Sequence, residues 1–225
     1  MFERVISFVG EDNFLKIQNT TVLVVGLGGV GGYAVESLVR TGIQNIVIID
    51  YDKIDKSNLN RQIVTNTSNI GSLKVKEFEK RIKDINPNCQ VTGLNLFLNN
   101  ENISILKDFK IDYIVDACDT VETKKILIDY SIENNIKLIS CMGTANKIDP
   151  LKLKITDISK TSYDPLAKVI RKYVSTKYHN QKLLVVSTDE EPINRKDLTS
   201  LIFVPATAGL LCSNYIIKDI IKKKE

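Results

Sequence analysis

Thr21-Val22-Leu23-Val24-Val25-Gly26-Leu27-Gly28-Gly29-Val30-Gly31 leads through Ala34-Val35-Glu36-Ser37-Leu38-Val39 to Asn45-Ile46-Val47-Ile48-Ile49-Asp50-Tyr51-Asp52. An apolar run of strand length meets a glycine-rich turn, a helical stretch follows, and a second apolar run ends on acids. Strand, glycine turn, helix, strand, acid is the order of a dinucleotide-binding unit. Glycines permit the tight turn and let a phosphate reach the backbone N–H groups with no side chain in between. A helix starting near Gly29 directs its positive end at that anion. Asp50 closes the second strand, where a carboxylate accepts hydrogen bonds from ribose hydroxyls. Gly26, Gly28, Gly29, Gly31 and Asp50 are therefore candidate nucleotide-binding residues. The alternative is a structural turn in a sheet that holds no ligand.

Outward from this unit the alternation continues. Residues 1–20 are read as one helix with more apolar positions than a single face needs. After Asp52 comes a polar segment, Lys53 to Gln62, which should overhang the ligand at the carboxyl edge of the sheet. Gly71-Ser72-Leu73-Lys74 opens a helix over 75–85. Lys74 in its first turn opposes the helix dipole, which points to an anion nearby. Strands are expected over 89–97, 113–119 and 137–142, with helices over 103–109 and 121–134 between them. Beyond Gly143 the pattern changes to a half-exposed strand over 151–157, a capped helix from Asp164-Pro165, a strand over 183–187 and a last apolar helix within 201–221. The expected fold is α/β: a Rossmann-like, doubly wound, mostly parallel sheet with an antiparallel C-terminal extension. Residues 1–150 form its nucleotide-binding half and residues 151–225 a substrate-binding half of the same domain.

Composition excludes several classes. The chain has 225 residues and a net charge of +4, enough for a full core and too mild a charge to imply nucleic acid by itself. Its four cysteines, Cys89, Cys118, Cys141 and Cys212, form no C-x-x-C pair, so a structural zinc is not expected. Cys118 and Cys141 read as buried, reduced thiols. Met1-Phe2-Glu3-Arg4 lacks a basic-then-apolar start, and a cytoplasmic location is expected. Residues 198–217 carry no charge over the length of a membrane span, but Pro205, Thr207, Ser213 and Asn214 interrupt them and favour a core helix. His179, the single histidine, sits in a polar stretch and reads as exposed rather than catalytic.

Several motifs occur in order: Gly26-Leu27-Gly28-Gly29-Val30-Gly31, Asp50-Tyr51-Asp52, Asn58-Leu59-Asn60-Arg61-Gln62, Gly71-Ser72-Leu73-Lys74 and Asp116-Ala117-Cys118-Asp119. Together they resemble the ubiquitin-activating-type adenylyltransferases of the ThiF/HesA family. Met142 to Pro150, Thr156 to Thr161 and Asp164-Pro165-Leu166-Ala167 resemble one branch of it, the tRNA threonylcarbamoyladenosine dehydratases. Carrier-activating members usually hold zinc on two C-x-x-C pairs, absent here, and no cysteine between Cys141 and Cys212 suits a thioester relay. Residues 175–200 look shorter than the matching region of many dehydratases.

The resemblance implies ATP and Mg2+ as cofactors. The glycine turn, Asp50 and Asp52 would hold ATP, with Asp50 on the ribose. Asn58, Arg61 and Lys74 would contact the phosphates, Gln62 would belong to the same ATP site, and Asp119 would hold the metal. Asp116 is read as bracing its strand end. Arg4 falls where the family places an arginine that reaches into the partner subunit, which makes a homodimer the expected assembly. Arg61, Lys74 and Asp119 are the catalytic candidates. The implied reaction activates a carboxylate on the modified adenosine beside the tRNA anticodon and closes it into a ring, with no protein nucleophile. Activation of a ubiquitin-like sulfur carrier, with sulfur-transfer partner proteins, is the enzymatic alternative; a nucleotide-binding scaffold is the non-enzymatic one. A nicotinamide dehydrogenase would leave Asn58 to Gln62 and Lys74 without a purpose. Residues 151–182 hold eight Lys/Arg against two Asp, interspersed with Tyr163, Tyr173 and Tyr178, a pattern suited to RNA.

Overall fold

The computed structural model describes residues 1–179, 181–193 and 197–222. Its elements in chain order are α1 (Glu3–Val9), α2 (Glu11–Asn19), β1 (Thr21–Val25), α3 (Gly31–Thr41), β2 (Asn45–Ile49), α4 (Lys74–Ile85), β3 (Gln90–Leu94), β4 (Tyr113–Asp116), α5 (Val121–Glu133), β5 (Lys137–Cys141), β6 (Leu153–Asp157), α6 (Pro165–Tyr178), β7 (Leu184–Thr188) and α7 (Phe203–Ile221). The strands lie in the order β3-β2-β1-β4-β5-β7-β6. Every pairing is parallel except β6 with β7. The mostly parallel sheet with an antiparallel extension is therefore present, and residues beyond 150 extend the same sheet.

Alternation along β1 sends Val22 and Val24 into one layer and Leu23 and Val25 into the other, all but Val25 fully buried. The first layer packs α2, α3, α4 and α7 through Ile17, Ala34, Leu38, Phe78, Ile82, Ala208 and Cys212. The second packs α5 and α6 through Leu127, Ile128, Ala167, Ile170 and Val174. Burying each such side chain contributes about 1.5–3 kcal/mol. α7 lies directly on α3: a Cβ at Gly209 would stand 2.2 Å from the Val30 carbonyl oxygen, and Ser37 donates to Ser213 at 2.6 Å. The uncharged stretch thus belongs largely to a helix that packs on the core. Among the described residues no helix is long and apolar enough to cross a membrane.

Some boundaries differ from expectation. The single N-terminal helix is two, broken at Gly10, whose φ of +84° no helix accommodates. α3 begins at Gly31 rather than Gly29. β3 stops at Leu94, where Leu96 N–H turns back onto the Leu94 carbonyl. β4 stops at Asp116, because the Cys118 amide and thiol turn back onto the Asp116 carboxylate; Asp119 lies in the loop beyond. Residues 150–152 form a 3-10 turn before β6, started by Asp149, which accepts Leu151 N–H, and by Pro150.

Candidate functional site

The carboxyl ends of β1, β2 and β4 meet around the glycine turn. Gly26 leaves β1 at φ +88°, and a Cβ there would lie 2.8 Å from the Ala117 carbonyl oxygen. At Gly31 a Cβ would lie 1.8 Å from the Gly26 carbonyl oxygen. The turn is thus closed on itself and against the loop after β4. A Cβ added at Gly28 would meet, within 4 Å among the described residues beyond its chain neighbours, only Gln62 Nε2 at 3.8 Å, so the middle of the turn is uncrowded.

Asp50 anchors this turn from below. Its Oδ2 accepts Leu27 N–H at 2.6 Å and its Oδ1 accepts Asp52 N–H at 2.8 Å. Each oxygen keeps a second lone pair. Burial raises the Asp50 pKa above the ordinary carboxylate range; the Lys74 charge and the two N–H groups work against that rise. Lys74 Nζ donates to Asp52 Oδ2 at 2.7 Å and lies 3.8 Å from Asp50 Oδ2, with its side chain 5% exposed. The anion called for by a lysine in the first turn of α4 is supplied within the chain by these two carboxylates.

The overhanging segment forms a 3-10 turn at Lys56–Asn58. Asp55 caps it by accepting Ser57 N–H at 2.8 Å, and Asn58 Oδ1 accepts Asp55 N–H at 3.0 Å. The Asn58 side-chain carbonyl therefore holds the loop, while its amide nitrogen has, among the described residues, only a 3.5 Å contact with Ser57 Oγ. Arg61 packs against the glycine turn, its Cγ 3.4 Å from where a Gly29 Cβ would be. It donates through Nη1 to Ser57 O at 2.9 Å and Asn60 Oδ1 at 2.8 Å, and among the described residues no carboxylate pairs with it. Gln62 is buried, and its Oε1 has no hydrogen-bond partner among the described residues. A buried acceptor without a donor, next to an uncrowded glycine turn, fits a ligand that brings an N–H or O–H.

Asp119 is exposed on the loop after β4, its side chain meeting among the described residues only a 3.5 Å contact from Thr120 Oγ1. Tyr51 reports its proximity: Asp52 first, then burial, then Asp119 and Asp50 push that phenol's pKa up. No group of three or more His, Cys, Asp or Glu able to hold a metal occurs among the described residues. Mg2+ needs only one or two carboxylates beside phosphate oxygens and water, so a lone available Asp119 fits it. Arg4 is exposed on α1 and makes no ion pair or side-chain hydrogen bond among the described residues. His179 is exposed at the end of α6.

Three features were not foreseen in the sequence, the first being the lysine that pairs with Asp116. Asp116, completely buried, accepts from Lys124 Nζ at 3.0 and 3.1 Å, from Ser140 Oγ at 2.6 Å and from the Cys118 thiol at 3.0 Å. Burial works against the Lys124 charge, yet the Asp116 carboxylate lifts its pKa above that of an ordinary lysine. The signal was a lysine on the buried stripe of α5 with Leu127, Ile128 and Ser131. Second, the loop after β5 is clamped: Asp164 accepts Gly143 N–H at 2.6 Å, and Glu190 accepts Ile148 and Asp149 N–H at 3.0 and 3.1 Å. Lys147 is buried beneath it, donating to the Gly143 carbonyl at 2.9 Å, its pKa lowered by burial.

Third, two of the tyrosines read as RNA contacts are already engaged. Tyr173 and Tyr178 both donate to Asp129 at 2.7 Å, as does Lys177. Burial raises the Asp129 pKa, but these donors outweigh it and leave the carboxyl below its ordinary range. A depressed carboxyl stabilises the fold above its unfolded pKa and loses that contribution as pH falls through the folded value. Acidification below about pH 4 should therefore loosen the α5–α6 clasp. Urea midpoints of the parent and Asp129→Asn should differ at pH 7 and converge at low pH.

The ThiF family profile matches residues 2–224. The chain belongs to the ThiF family. The tRNA threonylcarbamoyladenosine dehydratase of Bacillus subtilis is 37% identical over 236 residues, covering 96% of this chain and 93% of that protein. The Escherichia coli protein of the same name is 37% identical over 169 residues, covering 75% of this chain and 63% of the relative. The crystal structure of the E. coli tRNA N6-threonylcarbamoyladenosine dehydratase in complex with ATP superposes with a TM-score of 0.93 at 32% identity, covering 98% of this chain and 93% of that one. The α/β fold expected from the glycine turn is thus shared along nearly its whole length with this ThiF-family enzyme.

Proposed function

We propose that this chain is an ATP-dependent tRNA threonylcarbamoyladenosine dehydratase. The observation that carries the reading is the extent of the likeness: it runs through 96% of the chain and not only through the nucleotide-binding half. The substrate's threonyl carboxylate bonds to the α-phosphorus of ATP and pyrophosphate leaves. A ureido nitrogen of the same group then bonds to the carboxyl carbon. AMP departs with the former carboxylate oxygen, and the N–H proton goes to solvent, so the base loses the elements of water.

Two anions must approach in the first step, and a close charge pair is worth about 4 kcal/mol at an effective dielectric of 20. Arg61, against the glycine turn and without a carboxylate partner among the described residues, offsets that repulsion, and Lys74 neutralises Asp50 and Asp52 so that they do not add to it. Asp50 accepts from the ribose with its remaining lone pairs, and the Asn58 amide and Gln62 Oε1 line the same pocket. Mg2+, held by Asp119, would supply further charge neutralisation on the phosphates. The second step is intramolecular, so holding the adenosine against the edge supplies most of its advantage. Residues 151–225 would present the RNA, the expected homodimer would bring Arg4 to a neighbouring site, and the cytoplasm is where such a substrate is met.

No protein nucleophile is required. Burial, and next Asp116, push the Cys118 pKa well up; the contact with Cys141, and next burial, do the same for Cys212; burial pushes Cys89 up to about 11. Thiols so protonated are poor nucleophiles. A variant with all four cysteines replaced by Ala or Ser should keep turnover if it folds; a folded but inactive one contradicts the mechanism. Labelled ATP with either a threonylcarbamoyladenosine-bearing tRNA or a ubiquitin-like carrier ending in glycine separates the two enzymatic readings. Pyrophosphate should appear with the tRNA alone.

A further inference from the structure

Tyr163 stands out from the surface between β6 and α6. It is 58% exposed, and its φ of +52° lies in the left-handed region that bulky side chains rarely adopt. Neither its hydroxyl nor its ring has a hydrogen-bond, aromatic or cation partner among the described residues. Its neighbours hold it in that conformation. Asp164 accepts Gly143 N–H at 2.6 Å through Oδ2 and caps α6 through Oδ1, accepting Leu166 N–H at 2.9 Å and Ala167 N–H at 3.2 Å. Arg171 Nη1 donates to Thr161 O at 2.6 Å and Thr161 Oγ1 at 2.7 Å, pinning the connector from the other side.

The anchor also places the residue. Gly143 follows the carboxyl end of β5, so Asp164 draws Tyr163 to the rim of the sheet edge that carries the glycine turn. Backbone strain is kept where the surroundings over-determine it, and such positions cluster at functional sites. Lys160 on the connector and Lys168 in α6 flank Tyr163 in the chain. Both are exposed, and neither has a carboxylate within 4 Å among the described residues. Two other basic side chains of the region are already engaged: Lys154 pairs with Asp189 and Lys177 with Asp129. Of the three tyrosines there, Tyr163 alone keeps its hydroxyl out of the Asp129 cluster.

We propose that Tyr163 stacks on an unpaired nucleobase of the substrate tRNA loop while Lys160 and Lys168 hold the flanking phosphates. Single-stranded RNA is bound in this way, by an aromatic platform within a basic groove. A rigid backbone beneath the ring lowers the ordering cost of that stacking. The proposal rests on the tRNA reading above and adds the residue that seats the loop at the catalytic edge.

The test is retention of a threonylcarbamoyladenosine-bearing tRNA by the full chain and its variants at two salt concentrations, with thermal melting alongside. Tyr163→Ala should weaken binding about tenfold, and Tyr163→Phe should bind like the parent. Tyr163→Gly suits the backbone and should melt no lower than the parent, yet bind as weakly as the alanine variant. Lys160→Ala/Lys168→Ala should flatten the slope of log affinity against log salt by about 1.4, roughly 0.7 for each phosphate left without its lysine. Parent-like binding by Tyr163→Ala overturns the proposal and leaves the tRNA reading standing. Equal losses in the Phe and Ala variants overturn the stacking role. No salt-sensitive tRNA binding by the parent overturns both readings.

Discussion

Lys74→Ala should lower ATP-dependent turnover by about 10²- to 10³-fold, the usual effect of deleting one preorganised group that stabilises developing charge. The reason is local. Lys74 Nζ sits 2.7 Å from Asp52 and 3.8 Å from Asp50, so its removal leaves two uncompensated carboxylates beside the proposed triphosphate site. The defect therefore combines a lost cation with two uncompensated anions and should appear as weaker ATP binding as well as slower chemistry. Stability carries a second signature. Burial already raises the Asp50 pKa, and Lys74 is the first influence that opposes it. Without Lys74 the carboxyl should rise further. A carboxyl raised in the fold contributes stability that is present below its unfolded pKa and lost as pH rises through the folded value. The alanine variant should thus be weakened most at neutral pH and approach the parent near about pH 4. Parent-like pyrophosphate release, or a stability difference that grows on acidification, would contradict this account of Lys74.

Gly31→Ala should be the most damaging single methyl group in the protein. The added Cβ would lie 1.8 Å from the Gly26 carbonyl oxygen and 3.2 Å from the Ala117 Cβ. The first neighbour is backbone of the same turn, so rotation of a side chain cannot relieve the clash. Moving Gly26 would break its N–H bond of 2.8 Å to the Ile49 carbonyl and displace the turn from Asp50. A loss of more than about 3 kcal/mol is expected, at the upper end of overpacking effects. For a chain of this size that is a fall in Tm of at least about 6–12 °C. A circular-dichroism melt of the variant measures it, and a midpoint within about 2 °C of the parent would show that the turn is less tightly closed than described.

The two predictions draw on parts of the molecule that differ in how openly they are written. The glycine turn, β1, α3, β2 and Asp50 are legible in the sequence because each demand is local: glycine where no Cβ fits, β-branched residues in buried parallel strands, an acid at a strand end. The antiparallel β6 was legible from its alternation, since one of its faces stays partly exposed. What was not legible depends on residues distant in the chain. The link of Tyr173 and Tyr178 to Asp129 exists only once α6 lies on α5, and it commits their hydroxyls to a structural clasp. Lys124 resembles an ordinary surface lysine until β4 and β5 bring Asp116 and Ser140 to its amine. The Gln62 Oε1, buried near Gly28 with no hydrogen-bond partner among the described residues, also emerges only in three dimensions. The break at Gly10 was visible as a residue but not as a break, because a lone glycine is tolerated in many helices.

The central claim is that one sheet edge lets an RNA carboxylate react with ATP and so removes water from a modified adenosine. The most direct measurement is mass analysis of nucleosides from a threonylcarbamoyladenosine-bearing tRNA after incubation with the protein, ATP and Mg2+. The account predicts a nucleoside lighter by the mass of one water, formed only when ATP is present and formed far more slowly by Lys74→Ala. An unchanged nucleoside mass, with a folded protein that binds both ATP and tRNA, would contradict it.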